Sequence, residues 1–156
     1  MGARVIGFGQ AAAGDDAVGL AVLQSLREMT TPEDTELLEA AEATALLSLL
    51  ETSRRVVIVD GMVADGSVGR VLEFDAAALE AKSDGPRAVS THGIDIGQVI
   101  ALATIVSTVG VARSIWIVGV TIAPPRTHVQ GLSQAVRAAV PLAARAVLAH
   151  LEHGHA

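Results

Sequence analysis

"ARVIGFGQAAAGDDAVGLAVLQSLREM", residues 3–29, sets the architecture of the chain. Ala3 to Gly9 is a short β-branched run that ends in glycines, and beyond Asp15 the apolar residues Val18, Val22, Leu23 and Leu26 recur at helical spacing. A strand, a glycine-containing loop and an amphipathic helix, in that order, open an α/β domain. The loop has two opposed readings. Gly7, Gly9 and Ala12 fit the loose G-x-G-x-x-G/A pattern that lets a dinucleotide pyrophosphate approach the backbone at a helix start. Asp15 and Asp16 place two carboxylates at that same start. There each contact would repel a pyrophosphate by about 1 kcal/mol or more outside bulk water, whereas a divalent cation would be attracted.

The strand and helix alternation continues. "TELLEA" (35–40) reads as a second strand and leads to a leucine-rich helix at about 44–52. "RRVVIVDGM" (54–62) is the clearest strand, a buried parallel type with four consecutive β-branched residues and Asp60-Gly61 at its carboxyl end. "GRVLEFD" (69–75) follows it too closely for a helical crossover, so it is expected to be antiparallel. "STHGIDIGQVIALATIV" (90–106) is a second loop-to-helix junction. "SIWIVGVTI" (114–122) is the last strand, "APPRTHVQG" (123–131) a loop, and residues 132–152 a terminal helix containing Pro141. The expectation is one domain over residues 1–156: three layers, α/β/α, around a mostly parallel five-stranded sheet with one antiparallel strand.

Composition narrows the function classes. Of 156 residues only Phe8, Phe74 and Trp116 are aromatic, which gives no platform for stacking bases. A net charge of −6, with no basic cluster longer than Arg54-Arg55, gives no footprint for phosphate backbones, so no nucleic-acid partner is expected. The absence of cysteine excludes a disulfide framework, a thiolate metal site and a cysteine nucleophile. Met1 leads directly into a strand-like segment rather than a signal peptide, and the longest uncharged run, Ile96 to Ala112, falls short of the ~20 apolar residues of a membrane span. A cytoplasmic protein is expected.

In open α/β sheets ligands bind beyond the carboxyl ends of the strands. Asp15-Asp16, Asp60 and His92 all fall in such loops. Singly, each has an ordinary explanation: a helix N-cap, a turn after a strand, a solvated loop histidine. Together, two carboxylates and an imidazole with open positions would suit Zn²⁺, Ni²⁺ or Mn²⁺. A Ser90–His92–Asp60 triad lacks a nucleophile elbow. His128 sits in the Pro-rich loop, and His150, His153 and His155 read as a solvated tail.

These blocks resemble the hydrogenase maturation proteases. "VIGFGQAAAGDDAVG" (5–19) is similar to the opening signature of that family, "VVIVDGMVADGSVGRVLEF" (56–74) to its second block and "STHGIDIGQVIALA" (90–103) to its Ser-x-His-Gly block. "WIVGVTIAPP" (116–125) and "GLSQAVRAAVP" (131–141) continue the likeness in the same order. The resemblance implies an aspartyl-type endopeptidase that removes the C-terminal extension of a nickel–iron hydrogenase large-subunit precursor once nickel is inserted. It carries a metal-contacting triad over to Asp16, Asp60 and His92, with nickel supplied by the substrate and another divalent metal such as zinc as an alternative. Competing expectations are a non-cleaving binder of a nickel centre or precursor and a nucleotide-binding α/β domain. The chain departs from the family pattern at Gln10, where Asn is usual, at Ala17, where Gly is usual, and at Ala43, which precedes Thr44 in place of a Gly. Ala17 is tolerable if its φ is negative and costs about 1–2 kcal/mol if it is left-handed.

Overall fold

The computed structural model describes residues 2–64, 66–77, 89–90, 96–124 and 130–153. The β-branched runs form β1 (Ala3–Phe8), β3 (Arg55–Val63) and β6 (Ile115–Ile122), which pair in parallel with β3 at the centre. β2 (Thr35–Ala40) adds in parallel to the outer side of β1, and β4 (Val71–Asp75) closes the other side against β6. β4 is antiparallel, as the short connection from β3 requires. The order is β2-β1-β3-β6-β4.

A sixth strand, β5 (Val89–Ser90), was not expected. It pairs antiparallel with β3 at Met62 and Val63. Two residues carry no periodicity, so nothing in the sequence marks them as a strand.

Four α-helices among the described residues cover the sheet: α1 (Val18–Arg27), α2 (Ala43–Leu49), α3 (Ile96–Val106) and α4 (Gln134–His153). Successive residues of a strand point to opposite faces. Val5, Val57, Val59, Val118 and Val120 therefore pack with α1 and α4 in one core. Ile6, Phe8, Ile58, Met62 and Ile117 pack with α2 and α3 in the other. Both cores are almost wholly aliphatic, with Phe8 the one fully buried aromatic ring among the described residues. α4 runs on through Pro141, which has no N–H to return to the carbonyl of Arg137.

The chain leaves β1 by α1 on one face and reaches β3 by α2 on the other. The crossovers thus diverge between β1 and β3, which makes this pair the topological switch point, where doubly wound sheets bind ligands.

Candidate active site at the carboxyl edge of the sheet

β1 pairs with β3 only as far as Gly7 opposite Val59, and β5 takes up the same side at Met62. Asp60 and Gly61 fall between these two ladders. The segment that follows β1 settles there as a single turn of 3-10 helix, Gly14–Ala17, in contact with β3.

Glycine at position 9 makes that close approach possible. A Cβ on Gly9 would meet the backbone carbonyl of Asp16, and one on Gly61 would stand 3.5 Å from the carbonyl oxygen of Asp15. Gly7 faces the carbonyl of Gly19, which would lie 2.7 Å from its Cβ and brings α1 directly onto β1. The glycine pattern is therefore explained by packing. In a dinucleotide loop the second glycine leaves room for a pyrophosphate. Here the same space holds a carbonyl oxygen, a hydrogen-bond acceptor that repels an anion. This geometry argues against the nucleotide reading.

The left-handed residue of the loop is Gly14, with φ 61°. Ala17 has φ −81°, so its departure from the family's glycine carries no left-handed strain. The expected N-cap role of the acids is not what forms: the cap positions are Ala13 and Ala17, and neither helix start has a side-chain cap bond from them. The Asp15 carboxylate instead reaches Ser133, accepting from its backbone N–H at 2.6 Å and its hydroxyl at 2.9 Å.

Among the described residues the buried acids are Asp16, 5% exposed, and Asp60, 0% exposed. Carboxylates are rarely buried, because desolvating one costs several kcal/mol unless partners compensate. Both lie at the carboxyl edge, one after β1 and the other near the end of β3. By the strand alternation Asp60 shares the face of Ile58 and Met62, and Ile96 at the start of α3 packs in that same core. His92 and His128 lie outside the described residues. Among the described residues, no group of three His, Cys, Asp or Glu side chains is arranged to hold a metal ion.

A cavity of about 300 Å³ lies at the opposite end of the sheet, lined by Arg55, Val56, Val57, Ser114, Trp116, His150 and His153. His150 is not part of a solvated tail. Its Nε2–H donates to Glu73 Oε1 at 2.7 Å, and its ring lies 4.5 Å from that of Trp116. His155 lies outside the described residues.

A doubly wound sheet with two buried aspartates at its switch point is the architecture of a ligand-binding α/β protein. The family model for hydrogenase maturation protease matches residues 20–150, and the chain belongs to that family of peptidases. The fold is similar to that of the hydrogenase maturating endopeptidase HybD from E. coli (TM-score 0.76, 23% identity, covering 99% of this chain and 94% of that one). It is also similar to the [NiFe] hydrogenase maturation protease HybD from Thermococcus kodakarensis (TM-score 0.75, 20% identity, 97% and 99%). A third likeness is to HycI, a [NiFe] hydrogenase maturation protease from Thermococcus kodakarensis KOD1 (TM-score 0.68, 22% identity, 97% and 92%). No curated protein matched the sequence.

Proposed function

We propose that this chain, folded as one domain over residues 1–156, is the endopeptidase that removes the C-terminal extension from a nickel–iron hydrogenase large-subunit precursor. Cleavage follows nickel insertion, and the nickel is substrate cargo: Asp16, Asp60 and His92 contact it where it sits in the precursor. Family membership supports the reaction class. The observation that carries the site is the pair of buried aspartates at the switch point, the two carboxylates that the resemblance assigned.

The resemblance assigns His92 as the third member of the set. Ser90 is paired with Met62, two residues along β3 from Asp60, and His92 follows Ser90 by two residues. Two carboxylates and an imidazole leave a divalent ion with open positions, which the precursor's own ligands fill; zinc could take the place of nickel in such a set. Held by these three residues, such an ion would supply Lewis-acid chemistry toward the scissile carbonyl or a water, and no serine or cysteine nucleophile would be needed. The proposed place of action is the cytoplasm, with which a chain without cysteine is compatible. No helix among the described residues is long and apolar enough to cross a membrane.

The test is incubation with nickel-loaded precursor, read by mass spectrometry of the large subunit. Loss of a C-terminal peptide supports the reading. Binding without mass loss would make the chain a recognition factor.

A further inference from the structure

We propose that Asp15 is a positioning residue for Asp16, acting through Ser133 and touching neither the nickel nor the scissile bond. The inference rests on the proposed function. Neighbouring acids in a signature invite the view that both are ligands. Their geometry separates them.

Each oxygen of the Asp15 carboxylate accepts a hydrogen bond from Ser133, Oδ1 from the backbone N–H and Oδ2 from the hydroxyl, across 118 residues of chain. Ser133 is a firm anchor. Its carbonyl accepts the first helical bond of α4 from the N–H of Arg137 at 2.9 Å, so it is the N-cap residue of a 20-residue helix. That helix is fixed by its buried Val136, Ala139 and Ala143 and, at its first turn, by the close approach of the Ala135 carbonyl to Gly69. A carboxylate at a helix N-terminus is also favoured by the macrodipole.

Two backbone bonds shape the turn bearing Asp16, from the Ala13 N–H to the Gln10 carbonyl at 3.3 Å and from the Asp16 N–H to the Ala13 carbonyl at 3.2 Å, and both are local to it. Gln10, Ala11 and Ala12 are exposed, and Gly14 is left-handed. Its trailing half continues into α1. Among the contacts that seat the turn are the Asp16 carbonyl, packed where a Cβ on Gly9 would stand, and the Asp15 carboxylate on Ser133. Fixing the Asp15 carboxylate and the Asp16 carbonyl restricts the backbone from which the Asp16 side chain projects. Such preorganisation is what a site needs to hold its geometry to within about 0.5 Å.

An amide can reproduce this clamp, since its oxygen accepts the Ser133 N–H and its NH₂ donates to the hydroxyl. A ligand role for Asp15 would not survive the loss of charge. The experiment compares Asp15→Ala, Asp15→Asn, Ser133→Ala, Ser133→Thr and the Asp15→Ala/Ser133→Ala double variant. Two readouts are taken: kcat and KM on nickel-loaded precursor, and the backbone amide signals of Asp16 and Gly61 in ¹H–¹⁵N spectra of the free protein. In Asp15→Ala, kcat is expected to fall at least tenfold with KM within threefold, and both amide signals to move. Asp15→Asn and Ser133→Thr recover most of the activity and bring the signals back toward wild type. The double variant is no worse than Asp15→Ala, because the two residues form one link. Equal inactivity of the Asn and Ala variants, independent multiplication of the two single effects, or unmoved amide signals would overturn the proposal. A wild-type protein that leaves the loaded precursor intact sinks the peptidase reading instead, and the amide signals still decide the clamp.

Discussion

Gly9 and Asp16 face each other so closely that the backbone carbonyl of Asp16 occupies the place where a side chain on residue 9 would begin. The obstacle is backbone, so no rotamer change relieves it. Gly9→Ala is expected to displace the acid-bearing turn and destabilise the fold by about 1–3 kcal/mol, the usual cost of overpacking. Urea denaturation measures the loss. A change below about 0.5 kcal/mol, the scatter of neutral surface substitutions, would show that the turn can sit elsewhere.

Ala17, where the family carries glycine, tests the same turn from its other end. Its φ of −81° lies within a continuous run of 3-10 and α conformation, so alanine is already well placed. Ala17→Gly should lower stability by about 0.5–1 kcal/mol through backbone entropy. A higher melting temperature in the glycine variant would contradict the negative φ.

The position of the two aspartates at the carboxyl edge was legible because it is local to their own segments: Asp60 closes a β-branched run, and Asp16 precedes a helical period. The antiparallel β4 was legible for a similar reason, since the spacing from β3 admits no crossover helix. What escaped the sequence is non-local. The Asp15–Ser133 link joins residues 118 apart, and no periodicity encodes it. β5 is too short to have a pattern. His150 looked like tail because histidines cluster there, yet Trp116, the chain's single tryptophan, is covered by α4 at that position.

That cover gives a third prediction. His150 contributes a ring contact with Trp116 and a bond to Glu73, and side-chain exposure of 19% leaves it largely shielded. Its cavity lies at the amino ends of β3 and β6. Asp60 is five residues further along β3 than Arg55, about 17 Å at strand rise. His150→Ala should therefore cost about 0.5–1.5 kcal/mol of stability, the range for an aromatic pair, and leave precursor cleavage at the wild-type rate. Thermal unfolding and the processing assay together check it. A large loss of cleavage in a folded variant would connect the two ends of the sheet.

The nickel dependence is the sharpest test of the site. If Asp16, Asp60 and His92 meet nickel carried by the precursor, the free protein should bind Ni²⁺ weakly, since two carboxylates and one imidazole without a thiolate leave the coordination sphere incomplete. Affinity comes from the precursor's own ligands, so nickel-free precursor should stay intact. Asp60→Asn keeps the side-chain volume and removes a buried charge, and its stability should remain within about 1.5 kcal/mol of wild type. Its cleavage rate on loaded precursor should nonetheless fall by about 10²–10³, the scale for losing one group that stabilises developing charge. Asp16→Asn and His92→Gln should behave alike. Calorimetric titration with Ni²⁺, denaturation curves, and processing of precursor with and without nickel give the three readouts. Equal cleavage of the nickel-free precursor would remove nickel recognition from the mechanism. Full activity in Asp60→Asn would mean that the buried carboxylate at the end of β3 serves the fold alone.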